Sequence, residues 1–395
     1  MPETCVIVES NKSRPYEAIY EMIGDVGKRA YQPNGSGSYV AACIERGTKY
    51  VFATKVLQKK KPGVHDPRSI AVLLKLQHPN IVRLREVFET STFLYLIYEF
   101  VEGEQLFHRL LELKDYTEMT IAGYFRQIVE GLRYLHEYGI VHKNLKPENL
   151  VLSSRDENAV VKITDAALHN FMIEDMDIEV LCCNTVFCAP ELLTSRIFDK
   201  TFDLWALGII LHIMLCGSDP YFPKTDSELY RAILNGELLF DNEAWEKVSW
   251  NGRDVVRGLL VVDPPQRLNT VQVLKHPWVS GRHTPTEPHL ELSQNQLVQF
   301  VERRKEWISA ATAGNKVEDP KRISMRGMDR NVTSNVSVMN NGNYEEPTGG
   351  RKHGDTPEPD ALEVLEVEAS RETGSDPASE QNMIHWEPSD EESFH

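Results

Sequence analysis

An ordered series of short motifs between Gly139 and Glu191 constrains the fold of this chain more than any other feature. The run Gly-Ile-Val-His-Lys-Asn-Leu-Lys-Pro-Glu-Asn-Leu spans residues 139–150. Asp165 follows 16 residues after the last asparagine of this run, at the end of the stretch Val-Lys-Ile-Thr-Asp, and Ala-Pro-Glu spans 189–191. The residues able to carry chemistry are therefore concentrated in one segment near the middle of the chain.

Apolar residues recur with strand-like spacing before this segment, and mainly with helical spacing around and after it. The predicted strands are Tyr39–Ile44, Tyr50–Leu57, Val82–Phe88 and Phe93–Glu99. The predicted helices are Met119–Tyr138, Phe202–Leu215, Ser227–Asn235, Gly252–Val261 and 290–312. A strand-rich part followed by a helix-rich part predicts an α+β fold of two unequal lobes.

The net charge of −16 is unevenly distributed along the chain. Residues 344–395 hold fifteen acidic and three basic side chains, which leaves the preceding part with a net charge of only −4. A nearly neutral body argues against nucleic-acid binding. Because Asn, Gly, Pro, Ser and Glu dominate after Gly314, we expect 315–395 to be a disordered acidic tail.

Cysteine spacing and hydropathy suggest a cytoplasmic protein. The six cysteines show no paired spacing typical of a zinc site, and no apolar signal segment follows Met1. We therefore expect free thiols in a reducing compartment. The longest apolar run, Leu204–Cys216, is too short to span a bilayer, so it predicts a buried helix and no transmembrane segment. Attachment to a membrane through partner proteins stays open.

The motif series resembles the signature set of protein kinases, with residues 139–150 as the catalytic loop and Asp165 opening the metal-binding motif. Other stretches similar to kinase landmarks follow the family order; they are Val51–Lys55, Asp203–Gly208, Asp263–Arg267 and His276–Trp278. The resemblance implies a bilobal protein-kinase fold over residues 16–278, after an N-terminal extension over 1–15. Its parts would be a β-rich N-lobe over 16–98, a hinge over 99–103 and an α-helical C-lobe over 104–278.

Finer details resemble the calcium/calmodulin-dependent kinase group, for example Tyr124–His136. The segment 279–314 is similar in spacing to the regulatory segment of calmodulin-dependent kinase II. The domain also resembles the kinase-like domain of the scaffold called calcium/calmodulin-dependent serine protein kinase. An apolar face with a basic patch is typical of helices that bind calmodulin; its residues are Leu297, Phe300, Arg303, Arg304, Lys305 and Trp307. The alternative is a helix docked on its own C-lobe.

The resemblance implies ATP and Mg²⁺ as ligands and no other cofactor. The residues implied in nucleotide binding are Lys55, Gly35, Val40, Glu99 and Phe100, and those implied in metal binding are Asn149 and Asp165. Lys146 belongs to the catalytic loop. The residues implied as structural are Asp203 and the pair Glu191 and Arg267, which is buried in kinases.

Several positions depart from the kinase pattern. Asn144 stands where kinases have the aspartate that accepts the proton of the substrate hydroxyl, and an amide has no useful basicity. Ser69 aligns with the helix glutamate that pairs with Lys55, and Pro33 aligns with the first position of the glycine-rich loop. Because a general base contributes about 10²- to 10⁴-fold, loss of the base at residue 144 alone predicts severely impaired phosphotransfer.

Three hypotheses about function follow. The first is a pseudokinase whose lobes bind partner proteins and whose fold retains ATP binding. The second is a weak or atypical Ser/Thr kinase that uses Lys55, Asn149 and Asp165 with Mg²⁺ and ATP. The third is a calmodulin-responsive adaptor in which the helix over 290–312 is the signalling element. The sequence predicts neither the identity of the partners nor the oligomeric state.

Overall fold

The computed structural model describes most of the chain between residues 15 and 312. The described residues are 15–23, 39–58, 67–166, 186–194, 199–221, 226–237 and 243–312. Within them, the side chains at 67–69, 226–227, 307–308 and 310–312 are not described. The predictions for the N-terminal extension, apart from Pro15, and for the acidic tail lie outside the described residues.

The strand-rich part forms an antiparallel sheet of five strands. These are β1 (Tyr20–Ile23), β2 (Tyr39–Glu45), β3 (Val51–Gln58), β4 (Leu84–Glu89) and β5 (Phe93–Glu99). Their order in the sheet is β1-β2-β3-β5-β4, so β3 is the central strand. Lys55 on β3 is consequently flanked by Val40 on β2 and Leu96 on β5.

Two helices accompany this sheet, α1 (Tyr16–Ile19) before β1 and α2 (Pro67–Lys75) before β4. Tyr16 of α1 contributes to a small buried aromatic cluster. Its ring stacks on Tyr95 with centroids 4.7 Å apart and meets Phe88 edge to face. The Tyr16 hydroxyl lies 3.2 Å from Thr54 Oγ1, so the phenol has a hydrogen-bonding partner inside the cluster.

The second part of the chain is helical. Its helices are α3 (Leu106–Glu112), α4 (Glu118–Glu137), α5 (Pro190–Thr194), α6 (Lys200–Cys216), α7 (Asp226–Asn235), α8 (Glu243–Lys247), α9 (Trp250–Leu259), α10 (Thr270–Lys275) and α11 (Glu291–Thr312). Every residue of α6 from Phe202 to Cys216 is buried, as its nearly continuous apolar sequence predicts. The described lobes therefore confirm the predicted two-lobed α+β kinase fold.

Side-chain caps fix where the long helices begin. The Thr117 hydroxyl accepts a hydrogen bond from the Thr120 N–H at the start of α4, and Asp199 does the same for Thr201 at the start of α6. Helix α6 ends at Cys216 and is capped by Gly217, whose φ of 72° is the left-handed conformation that favours glycine. The position of α6 matters for the site, because this helix carries Asp203.

A short hairpin, β6 (Leu150–Leu152) and β7 (Val161–Ile163), lies between the sheet and the helices. The Val82 N–H donates to the Ile163 carbonyl at 2.9 Å, and the Ile163 N–H donates to the Asn80 carbonyl at 2.9 Å. These bonds attach β7 to the segment that leads into β4. They hold Asp165, two residues after β7, close to the N-lobe sheet. None of the described helices is both long enough and apolar enough to cross a membrane.

Candidate active site

Lys55 projects from the central strand towards the segment after β7. Its side chain is buried, with 8% of the residue exposed, and its Nζ lies 2.7 Å from Asp165 Oδ2. Val40, the β2 residue paired with Lys55, is half-buried on the neighbouring strand. The structure thus brings together the lysine implied in phosphate binding and the carboxylate implied in metal binding.

Asp165 is held in an uncommon backbone conformation. Its φ is 61°, in the left-handed region that few residues other than glycine, asparagine and aspartate adopt. Burial alone would raise the pKa of Asp165, but the charge and hydrogen bond of Lys55, together with nearby Lys146 and His142, lower the pKa below its ordinary value. Asp165 is therefore an anion at neutral pH.

The catalytic loop is organised by Asp203 of α6. Its carboxylate accepts hydrogen bonds from the main-chain N–H groups of His142 at 2.7 Å and Lys143 at 2.8 Å, and it lies 2.9 Å from His136 Nε2. Asp203 is fully buried, and its three partners compensate for that burial. They also hold Lys143 at a φ of 64°, which turns the chain into the loop.

Asn144 and Asn149 connect this loop to Asp165. The Asn144 N–H donates to His142 Nδ1 at 3.2 Å, and the Asn144 carbonyl accepts from Asn149 Nδ2 at 2.9 Å. The Asn149 carbonyl in turn accepts from the Thr164 N–H at 2.9 Å. The main chain at Asn144 is therefore held by hydrogen bonds, and its side chain is an amide where the kinase pattern implies a base.

The donor set fits a Mg²⁺ ion that is held jointly with phosphate oxygens. Asp165 offers a carboxylate, and the amide nitrogen of Asn149 is used within the loop, which leaves its amide oxygen as a donor. Among the described residues no cluster of three or more His, Cys, Asp or Glu could hold a metal by itself. Lys55 already pairs with Asp165, so metal and nucleotide would compete with or rearrange this ion pair.

Lys146 and Glu148 lie beside this centre. Burial lowers the pKa of Lys146, partly offset by the charge of Glu148. Glu148 forms an ion pair with Arg304 of α11, in which Arg304 Nη2 lies 2.9 Å from Glu148 Oε2. Burial opposes ionisation of Glu148, but the charge and hydrogen bond of Arg304, the charge of Lys146 and a main-chain hydrogen bond together lower its pKa. The sequence pattern predicted neither this contact nor a role for Glu148.

The hinge residues implied in nucleotide binding are Glu99 and Phe100, at the end of β5 and directly after it. The Glu99 carboxylate accepts from Lys162 Nζ at 2.8 Å and from the Arg83 N–H at 2.9 Å. A nucleotide contact at Glu99 would therefore come from its main chain.

Sequence reasoning also missed Tyr98, whose phenol has a pKa raised well above its ordinary value by burial and by the nearby Asp165 charge.

Arg267 and Glu191 form a buried ion pair within the helical lobe. Arg267 donates from Nη1 to Glu191 Oε1 at 2.8 Å and from Nη2 to Oε2 at 3.0 Å. Arg267 also donates to the carbonyls of Thr201 and Val261. These four bonds tie the start of α5 to the start of α6 and to the segment after α9, which is a structural role.

Several predicted site features cannot be placed. Gly35 and Pro33 lie outside the described residues. The backbone of Ser69 is in α2 and that of Trp307 is in α11, but their side chains lie outside the described residues. Their roles therefore stay predictions.

Helix α11 lies against its own C-lobe. Leu297 is fully buried and Phe300 is 4% exposed, and the Phe300 ring is 6.2 Å from that of Phe107 on α3. Arg303 and Lys305 are exposed. The apolar residues Leu297 and Phe300 of the expected calmodulin-binding face are thus buried, which corresponds to the alternative of a docked helix.

Comparison with known proteins identifies the family. The family model described as "Protein kinase domain" matches residues 33–279. Calcium/calmodulin-dependent protein kinase type IV of Rattus norvegicus is 38% identical over 299 residues, which cover 75% of this chain and 62% of the relative. The Homo sapiens type IV kinase is 40% identical over 288 residues, which cover 73% of this chain and 59% of the relative.

A type 1 relative gives similar identity over more of its own length. Calcium/calmodulin-dependent protein kinase type 1 of Macrobrachium nipponense is 39% identical over 275 residues, which cover 68% of this chain and 79% of the relative. The chain spans only about three fifths of the length of the type IV kinases it matches. The chain belongs to the protein kinase family, within its calcium/calmodulin-dependent group.

Proposed function

We propose that this chain is a pseudokinase, a kinase-fold protein that acts through protein partners in the cytoplasm and has lost efficient phosphotransfer. The observation that carries the proposal is Asn144, ordered by hydrogen bonds to His142 and Asn149 at the position of the catalytic base. An amide side chain cannot accept a proton at neutral pH. An ordered loop without a base supports binding rather than efficient catalysis.

We further infer that the site retains affinity for ATP. Lys55 is buried beside the ionised Asp165, and the Asn149 carbonyl accepts from the N–H of Thr164, the residue before Asp165. Mg²⁺, when bound with ATP, would neutralise charge on the phosphate oxygens. Lys55 would leave the Asp165 carboxylate and bind a phosphate oxygen of ATP instead. Bound ATP would then stabilise the folded chain even without phosphotransfer.

The proposal is tested by measuring binding and transfer separately. Thermal-shift titration with ATP, with and without Mg²⁺ or Mn²⁺, measures nucleotide binding. Radiolabelled ATP measures phosphate incorporation into the chain itself and into a basic peptide. We expect a melting temperature that rises with ATP and no incorporation above background. Incorporation by the wild type that disappears in Lys55→Met and in Asp165→Ala would contradict the proposal.

The second candidate is a weak or atypical Ser/Thr kinase. It is favoured by the ion pair between Lys55 and Asp165 and by the hydrogen bond from the His142 N–H to Asp203. It is also favoured by the similarity to proteins that are named as kinases. The same transfer assay separates the two candidates. Slow incorporation that depends on Lys55 supports the weak kinase, because a background reaction would be indifferent to that lysine.

The third candidate is a calmodulin-responsive adaptor. It is favoured by the apolar residues Leu297 and Phe300 beside exposed basic residues on α11, and by the names of the relatives. Both apolar residues are buried on the C-lobe, so calmodulin must displace the helix to bind them. Ca²⁺-dependent binding that is lost in Phe300→Ala with Trp307→Ala, but kept in the exposed control Val298→Ala, would support this candidate.

A further inference from the structure

A polar cleft with a volume of about 790 Å³ lies on the C-lobe. Three parts of the chain enclose it: α3 with its connection to α4, the first turns of α4, and the turn between β6 and β7. None of the residues that line this cleft is among those implied in nucleotide or metal binding. Its volume is within the range of sites that bind ligands, so its walls indicate what it could bind.

Arg109 of α3 joins two of these walls. Its Nε donates to Glu104 Oε1 at 3.0 Å. Its Nη1 donates to the Asp156 carbonyl at 3.2 Å and its Nη2 to the Arg155 carbonyl at 3.0 Å, so the turn between β6 and β7 is attached to α3. The charges of Arg109 and Glu104 compensate each other, and this part of the cleft therefore carries no net charge.

The other walls are also fixed to the lobe. The connection between α3 and α4 is held by Tyr116, whose buried hydroxyl donates to the Met214 carbonyl of α6 at 2.5 Å. The segment before α3 lies directly on β6, where the Leu152 N–H donates to the Glu104 carbonyl at 2.8 Å. A Cβ atom added to Gly103 would lie only 1.9 Å from the Leu152 carbonyl oxygen. The cleft is therefore preformed, and a ligand would not have to order its walls on binding.

Five charged side chains on these walls are exposed. Three are acidic, Glu112, Asp115 and Glu157, and two are basic, Lys114 and Arg155. Within the described part of the chain, none of the five side chains forms an ion pair or a hydrogen bond. Their charges are therefore available to a ligand, and the concave shape of the cleft concentrates their field. The acidic side chains outnumber the basic ones, which favours a ligand with an excess of positive charge.

The composition of the lining favours a peptide over a small molecule. Sites for small molecules are lined mainly by apolar and aromatic side chains with a few polar groups among them. Here most lining residues are charged, and the half-buried Leu113 and Tyr124 are the residues that offer apolar surface. Charges distributed over three parts of the chain match an extended peptide that presents one side chain to each wall.

We propose that this cleft binds a segment of a partner protein in which lysine and arginine outnumber the acidic side chains. The cations of the segment pair with Glu112, Asp115 and Glu157, and an acidic side chain within it faces Lys114 or Arg155. Such contacts near the surface are weakened by salt. The inference does not depend on whether the chain binds nucleotide or transfers phosphate.

Fluorescence anisotropy of a labelled peptide built from three Arg-Leu-Lys-Glu repeats, titrated with the full chain at physiological ionic strength, tests the proposal. The cleft variant combines Glu112→Lys with Glu157→Lys. The matched control combines Glu243→Lys with Glu246→Lys on exposed positions of α8, which changes the net charge equally. We expect the cleft variant to bind the peptide about tenfold more weakly than the control, because two attractive contacts become repulsive. Equal affinities would overturn the proposal, because the peptide would then bind through net charge or at another surface.

Reversing the two basic side chains of the cleft should have the opposite effect. Lys114→Glu with Arg155→Glu should bind the same peptide more tightly than the wild type, and the exposed positions of all these side chains allow the variants to fold. Hydrogen–deuterium exchange of the wild-type chain with and without the peptide locates the contact. We expect slower exchange in fragments covering 109–124 and 153–160 when the peptide is bound. Slower exchange only in other fragments, or weaker binding by the reversed basic pair, would contradict the inference.

Discussion

Lys55 Nζ lies 2.7 Å from Asp165 Oδ2, although the two residues are 110 positions apart in the chain. The residue implied in phosphate binding therefore compensates the charge of the residue implied in metal binding. Burial opposes ionisation of Asp165, but the charge and hydrogen bond of Lys55, together with nearby Lys146 and His142, lower its pKa and keep it ionised. For ATP to contact Lys55, a phosphate oxygen must therefore replace the Asp165 carboxylate as the partner of Lys55.

Replacing Lys55 by methionine should abolish the effect of ATP on the melting temperature. The same change should lower the free energy of unfolding without ligand by about 1–3 kcal/mol, because the Asp165 carboxylate loses its partner. Thermal unfolding with and without ATP measures both effects. Lys49→Met, at an exposed lysine, is the control and should respond to ATP like the wild type. An ATP response that survives in Lys55→Met would show that the nucleotide binds elsewhere.

Loss of Arg267 should destabilise the C-lobe strongly. Arg267→Met removes the guanidinium that pairs with the partly buried Glu191, and breaking such a pair costs about 3–5 kcal/mol. Arg46→Met is a matched control, because the Arg46–Glu21 pair is exposed and is worth at most about 1 kcal/mol. Urea denaturation of both variants measures the difference. Similar midpoints for the two would contradict a structural role for Arg267.

His212 should make the fold sensitive to acid. It is fully buried on α6, with its ring stacked on Trp245 and its Nδ1 at 3.0 Å from the Ser218 carbonyl. Burial lowers the pKa of His212 from 6.5 to about 4, so between these values the unfolded chain binds more protons than the folded one. The free energy of unfolding should therefore fall as pH decreases through this window, by roughly 3 kcal/mol in total.

Urea midpoints at neutral pH and at about pH 4.5 measure this dependence, and His212→Gln removes the titrating group. We expect the variant to lose less stability than the wild type over the same interval. If the wild type and His212→Gln lost the same stability between the two pH values, the acid sensitivity would come from other groups and not from His212.

If calmodulin binds α11, weakening the helix–lobe contact should strengthen that binding. Phe107→Ala removes the ring that faces Phe300 and leaves the helix sequence unchanged. The docked state would lose stability, so the apparent affinity for Ca²⁺–calmodulin should rise about two- to tenfold. Calorimetric titration measures this. An unchanged affinity would mean that calmodulin does not compete with the docked helix.

The spacing of apolar residues predicted the long helices and strands well. It predicted short elements, and contacts between residues far apart in the chain, poorly. Strand β5 was predicted over its observed range, and α11 began one residue later than expected. Helix α1 and strand β1 were missed, because the start signals near Tyr16 are weak and tertiary contacts with Tyr95 and Phe88 stabilise that segment. Helix α3 was also missed, since its seven residues are too few to show a clear helical period.

The site could be predicted only through resemblance to kinases. Position in the motif series identified Lys55, Asn149 and Asp165, but no local pattern specifies that Lys55 pairs with Asp165. The Arg304–Glu148 contact joins residues 156 positions apart and depends on how α11 lies on the C-lobe. Such contacts are determined by the fold as a whole and carry no signal in sequence spacing.

The central claim is that this site binds nucleotide and fails in phosphotransfer because Asn144 replaces the base. The most direct measurement is phosphate transfer from radiolabelled ATP to a basic peptide by the wild type and by Asn144→Asp, with Asn144→Ala as the control. We expect background transfer by the wild type and by Asn144→Ala, and an increase of about 10²-fold in Asn144→Asp. Wild-type transfer that equals that of Asn144→Asp, and that requires Lys55, would contradict it.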